Sequence, residues 1–171
     1  MSDGKLPVKI LAELSVFIAL SIILKDVLPP LYRLPQGGSI TAAGLVPLFW
    51  FILRRGFTYG TLAGFIYGLV HMSLGGYVIN PIQGLLDYPM AYASLGIAGL
   101  FKKHPLIGVG LGIIGRFLIA FLSGIIFFTG ISVEGAIASA IYNGTYLIFE
   151  FAITVAIIYL LLKRDLLKVY M

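Results

Sequence analysis

Apolar residues run in blocks along this chain, and the breaks between blocks are sharp. Val8 to Val27 is almost continuously apolar and stops at Pro29-Pro30. Ser39 to Leu53 is shorter and ends at Arg54-Arg55, and Phe57 to Leu74 stops at Gly75-Gly76. A fourth block begins near Pro81, where proline suits a first helical turn, and ends at Lys102-Lys103-His104. The fifth runs from Pro105 to Phe128 and the sixth from Gly135 to Leu162. A helix needs about 20 apolar residues to cross the hydrocarbon of a bilayer, with a range of roughly 17 to 25. The pattern therefore predicts an all-α, polytopic membrane protein of six transmembrane helices, built as one integral membrane domain over residues 1–171. The second helix has the least length to spare.

Charge orients these spans. Lys5 and Lys9, Arg54 and Arg55, Lys102 and Lys103, and Lys163, Arg164 and Lys168 fall on alternate connections. By the positive-inside rule that side is cytoplasmic and holds both termini. The opposite side has only Lys25 and Arg33, in or beside the first outer connection, while Arg116 lies within a span. The basic N-terminal segment resembles a secretory signal, but no small-residue cleavage site follows its apolar run, so a retained first helix is expected. The outer connections are Asp26 to Gly38, Gly75 to Asn80 and Thr129 to Glu134. The first holds Pro29, Pro30, Pro35, Gly37 and Gly38, which forbid a regular helix. It reads equally as a lid over a pocket or as a plain connector.

Composition agrees with a membrane setting. Hydrophobic residues make up 60% of the chain and charged residues 11%, against roughly 25% charged in soluble domains; mean hydropathy is +1.04. The net charge of +5 does not argue for nucleic acid, because the basic residues sit in short clusters between apolar runs. The expected solvent of this chain is therefore a lipid bilayer, and its expected location the cell membrane.

Against that background the intramembrane polar groups become candidates for function, since a charge at the centre of a membrane helix costs about 2.5 to 3.5 kcal/mol on insertion scales. Asp87 lies about two turns into the fourth helix from its outer end, with Tyr77, Asn80, Gln83 and Tyr88 near it in sequence. Such a set suits the polar end of a pocket for a small cationic ligand. Asn143 enters the sixth helix to similar depth, and Asn143, Tyr146 and Glu150 share one face of it. Arg116, near the middle of the fifth helix, needs a partner, and Asp87 and Glu150 are its candidates. An Arg116–acid pair either holds helices together or serves a ligand. Glu13 is placed to reach the cytoplasmic interface, and His71 is expected as an interfacial hydrogen-bonding residue. Ser15 and Ala19, like Gly60 and Gly64, form small-x-x-x-small pairs that let helices approach closely, within this bundle or against another protein.

Several chemistries are excluded. Without cysteine there is no disulfide, thiolate metal site or thiol nucleophile. There is no His-Glu-x-x-His zinc motif and no Gly-x-x-x-x-Gly-Lys-Ser/Thr phosphate loop. Ser123-Gly124 has no evident base beside it. The chain is not expected to be an enzyme, and no cofactor or metal is implied; any energy for transport comes from another protein.

Several strings carry a family resemblance. Leu34-Pro35-Gln36-Gly37-Gly38-Ser39-Ile40, with Val46-Pro47 and Arg54-Arg55-Gly56, resembles the opening of the thiamine-specific S component of energy-coupling-factor (ECF) transporters. Asn80-Pro81-Ile82-Gln83-Gly84-Leu85-Leu86-Asp87-Tyr88-Pro89 with Gly99-Leu100-Phe101 is similar to its fourth helix. Arg116-Phe117 with Phe121-Leu122-Ser123-Gly124 resembles its fifth, and Tyr142-Asn143-Gly144-Thr145-Tyr146 its sixth. The resemblance implies a six-helix vitamin-capture subunit that binds thiamine from outside and delivers it with a membrane T component and two ABC-type ATPases. It implies ligand roles for Asp87 (toward the aminopyrimidine), Tyr88, Tyr77, Asn143 and Arg116, and a T-component docking surface at Ser15 and Ala19. The family's histidine one turn after the basic residue is Ala120 here, and its tyrosine five residues before the asparagine is Ala138. Tyr142, Tyr146 and Phe128 are then the residues to supply aromatic surface, with Glu150 nearby. A thiamine precursor, the pyrimidine or thiazole half, or another small vitamin is the rival ligand, and a small membrane scaffold or an integral enzyme is the alternative from a different class.

Overall fold

The computed structural model describes residues 7–164 and 166, among which six helical rods pack into one bundle. Lys5 and Lys168 of the charge pattern lie outside the described residues. The first rod is Val8–Ile22, continued by a π-helical turn over Ile23–Val27. The third is Phe57–Ser73. The fourth is composite: an α-helical turn Pro81–Leu85, a π turn Leu86–Met90, Ala91–Ala93, and a 3₁₀ stretch Ser94–Leu100. The fifth is Pro105–Gly124 with a π turn Ile125–Thr129, and the sixth is Val133–Lys163. The fifth and sixth are long and apolar enough to cross a membrane. Exposed Leu118, Leu122, Ile141 and Ile148 give these two helices an outward apolar surface, as lipid contact requires.

The second helix departs from its expected bounds. It is Val46–Arg55, ten residues, about 15 Å at 1.5 Å per residue, half of a hydrocarbon core of about 30 Å. Ser39–Ile40, expected to open that span, instead form a strand paired antiparallel with Tyr32–Arg33. The physical reason is burial. Leu48, Phe49, Phe51, Ile52 and Leu53 are sealed from the surface, so the segment is apolar because protein surrounds it on all sides. Its basic end is tied down: Arg55 Nε donates to Glu13 Oε2 at 2.7 Å, and Arg54 lies 3.2 Å from Glu13 Oε1. Glu13 thus joins the first and second helices.

Glycine sets how closely the third and fourth rods pack. A methyl at Gly64 would meet the Tyr92 carbonyl oxygen at 2.1 Å, and one at Gly68 would meet the backbone of Tyr88 and Pro89 at 2.6 Å. Gly60 faces Ile52. The Gly60/Gly64 pair is therefore internal packing, whereas Ser15 and Ala19 face outward from the bundle.

Candidate functional site

A cavity of about 300 Å³ lies under the hairpin, at the lower limit of typical small-molecule sites. Three of its walls come from the three π turns. Lys25 is in the first, Asp87 and Tyr88 in the second, Phe128 and Thr129 in the third. A π turn holds one residue more than an α turn and changes which side chains face inward, and such turns concentrate at functional sites. His71 of the third rod and Tyr142, Asn143 and Tyr146 of the sixth complete the wall.

Asp87 is the one carboxylate among the lining residues. Gln83, 1% exposed, holds it: Nε2 donates to Asp87 Oδ2 at 2.5 Å and to the Tyr77 carbonyl at 3.1 Å, while Oε1 accepts from the Ile79 N–H at 3.0 Å. The turn is closed by Asn80, whose side chain caps the fourth rod by accepting from the Ile82 N–H at 2.8 Å. Local chemistry thus fixes both the loop and the acid that it precedes.

A buried ion-pair cluster adjoins the cavity, which its two cations, Lys25 and Arg116, help to line. Lys25 Nζ is 2.9 Å from Glu150 Oε1, and the Arg116 guanidinium is 3.4 Å from Glu150 Oε2. Glu150 Oε1 also accepts from the Thr41 hydroxyl at 2.8 Å and the Thr41 N–H at 3.2 Å. Arg116 donates to Tyr92 Oη at 3.0 Å, with its guanidinium carbon 4.2 Å from the Tyr92 ring centre, close enough for a cation–π contact. One carboxylate thus answers two cations, with hydroxyl, amide and ring supplying the remaining contacts that a buried charge needs. Asn143 is likewise committed: Nδ2 donates to the Ser139 and Ala120 carbonyls, and Oδ1 accepts from Tyr146 Oη at 3.0 Å. That bond orients the Tyr146 ring on the wall.

The hairpin closes the top. Its tip, Pro35–Gly37, carries positive φ at Gln36 (62°) and Gly37 (96°), a left-handed pair for which glycine is suited. Tyr142 Oη donates to the Pro35 carbonyl and accepts from the Gly38 N–H at 3.0 Å. A side chain at Gly38 would strike Tyr142 Oη at 2.9 Å and Tyr146 at 3.0 Å, so glycine is what lets the tip rest on these rings. Gln36, Gly37, Gly38 and Ser39 of this connection line the cavity.

The comparisons with known proteins give one answer. The Thiamine transporter protein family (Thia_YuaJ) matches residues 11–169. The chain belongs to this family. Thiamine transporter ThiT of Bacillus subtilis (strain 168) is 31% identical over 181 aligned residues, covering 94% of this chain and 93% of that protein. ThiT of Lacticaseibacillus paracasei is 30% identical over 142, covering 70% and 71%. A solved structure of ThiT from Listeria monocytogenes superposes with a TM-score of 0.78 at 25% identity, covering 92% of this chain and 95% of that one. The family is one of transporters, not enzymes, and this chain is a predominantly helical membrane protein that shares the fold of that ThiT structure.

Within this thiamine transporter family member, seven of the nine expected ligand residues line the cavity: Asp87, Tyr88, Arg116, Phe128, Tyr142, Asn143 and Tyr146. Two do not. Glu150 is spent on Lys25, Thr41 and Arg116. Tyr77 is half-exposed beside the entrance, its ring 6.2 Å from that of Phe128 and its N–H donated to Tyr88 Oη at 2.6 Å. Ala120 and Ala138 are both on the wall. Sequence reasoning missed Lys25, assigned to the outer connection, and His71, assigned to the interface. His71 Nδ1 lies 2.5 Å from Asp26 Oδ1, and its ring stacks on Tyr67 at 5.8 Å. The available signal was the adjacent pair Lys25-Asp26 at the end of an otherwise apolar run. Arg116 pairs with Glu150, not with Asp87.

Proposed function

We propose that this chain is the multi-pass, substrate-capture subunit of an ECF-type importer in the cell membrane, binding thiamine in the cavity under the hairpin. The observation that carries this reading is a cavity with one lining carboxylate, Asp87, among the rings of Tyr88, Phe128, Tyr142 and Tyr146, in a chain whose relatives are named thiamine transporters. An aminopyrimidine offers an amine donor to a carboxylate, and a thiazolium cation is attracted to aromatic faces. Asp87 takes the first role and the tyrosine–phenylalanine wall the second. Asn143, held by its neighbours, keeps Tyr146 in place, and Tyr142 ties the hairpin over the bound ligand.

Delivery falls to other subunits, a T component and two ABC-type ATPases, since this chain has no phosphate loop. Ser15 and Ala19, outward on the first helix, suit close approach of a T-component helix. The alternation of basic connections supports six crossings with both termini in the cytoplasm.

One observation favours a second reading. Ala120 and Ala138 line the wall with short side chains, which leaves room but no polar or aromatic contact there. A precursor carrying only the pyrimidine would use Asp87 and forgo that wall. Titrating the purified chain with hydroxymethylpyrimidine and with the thiazole half decides between them. Both halves binding at least a hundredfold more weakly than thiamine supports thiamine as the ligand; a half that binds as tightly makes the precursor the substrate.

A further inference from the structure

At the opposite end of the bundle from the hairpin, the first turn of the fifth helix and the last turn of the sixth enclose a second, open cavity. Its rim is basic: Lys103 and His104 precede the fifth helix, and Lys163 ends the sixth. Its wall is apolar, made by Pro105, Leu106, Ile107 and Leu162, with Tyr159 between. Ile107 and Tyr159 are more than half exposed, so the wall continues onto the outward surface of two helices long enough to span a bilayer. Among the described residues no carboxylate lines it, and none is within ion-pair distance of Lys103 or Lys163. The neighbouring Lys102 is used differently: its ammonium caps the second helix by donating to the Arg54 carbonyl at 3.0 Å.

We infer that this cavity is a binding site for an anionic phospholipid, with the headgroup phosphate between Lys103, His104 and Lys163 and an acyl chain along Ile107, Leu162 and Tyr159. The argument is charge complementarity joined to position. Cations with no carboxylate partner among the described residues, at the ends of two apolar helices and beside apolar surface, match the two halves of one lipid molecule. Basic pockets between transmembrane helices take anionic headgroups for this reason. A soluble phosphate would use the rim and leave the apolar wall without an occupant. A wholly apolar partner would leave two lysines desolvated without a counter-charge. The site is separate from the thiamine cavity, so it stands or falls independently of the ligand assignment.

The test is competition for lipid on the full-length chain, purified in detergent and read by native mass spectrometry. Phosphatidylglycerol and phosphatidylcholine with identical acyl chains are added together. The expected result is that retained phosphatidylglycerol exceeds phosphatidylcholine at least fivefold, and that millimolar inorganic phosphate does not displace it. In Lys103→Gln/Lys163→Gln the preference falls below twofold, whereas Lys9→Gln, which removes a charge elsewhere, keeps it. Equal retention of the two lipids by the unmodified chain overturns the proposal without need of any variant. Displacement by inorganic phosphate also overturns it, making the cavity a simple anion site. A preference unchanged in the double variant, with thiamine binding and thermal unfolding intact, places the lipid elsewhere.

Discussion

Glu150→Gln removes the only carboxylate, among the described residues, in ion-pair contact with Lys25 and Arg116 and leaves two buried cations near each other. Breaking a buried ion pair from one side costs about 3 to 5 kcal/mol, so the variant is expected to unfold well below the parent in a detergent melt. The double change Glu150→Gln/Lys25→Met removes a cation with the anion. It should recover part of the loss, and a double variant no more stable than the single one would mean that the cluster is not one coupled unit. The role of Glu150 was half legible in the sequence. Its place on one helix face with Asn143 and Tyr146 followed from spacing, and all three are buried. Its main partner did not follow, because Lys25 lies 125 residues away in sequence and at the end of a span, where a lysine ordinarily reaches water. Only the meeting of the first and sixth helices, which no local pattern encodes, turns an end-of-span lysine into a buried one. The same holds for His71, whose partner Asp26 comes from the first helix.

At the scale of elements, the bundle depends on close backbone approach and on which faces stay open. Gly64→Ala drives a methyl into the Tyr92 carbonyl, where rigid backbone, not a flexible side chain, must yield. Overpacking of this kind costs about 1 to 3 kcal/mol, measurable as a lowered unfolding midpoint; an unchanged midpoint would mean that the third and fourth rods separate freely. The first helix is the contrasting case. With Ser15 and Ala19 facing outward, Ser15→Trp/Ala19→Trp should abolish ATP-driven uptake in reconstituted vesicles while thiamine affinity stays within twofold. Loss of both together would mean that this face packs inside the molecule. Blocks of hydrophobicity located five of the six rods within a few residues, since lipid-facing helices must be long and apolar. The second misled because a short helix sealed inside protein is as apolar as a spanning one. The π turns left no signature, their register being set by packing.

For the whole molecule, the proposed function puts ligand recognition on this chain and the energy source on other proteins. Its fold places the cavity beneath the hairpin at one end of the bundle and the basic connections Arg54-Arg55 and Lys102-Lys103 together at the other, where Lys102 reaches the Arg54 carbonyl. Charge alternation foretold that second grouping. It did not foretell that one loop would fold as a hairpin, because the tip is held by Tyr142 from the far end of the chain. The account rests most heavily on Asp87 as the group that recognises the ligand. Calorimetric titration of the detergent-purified chain with thiamine, beside Asp87→Asn, tests this directly. Nanomolar binding by the parent and at least tenfold weaker binding by the variant, about 1.4 kcal/mol, with an unchanged melting temperature, is the predicted result. Equal affinity in the two proteins would make Asp87 a structural residue held by Gln83, and would contradict the account.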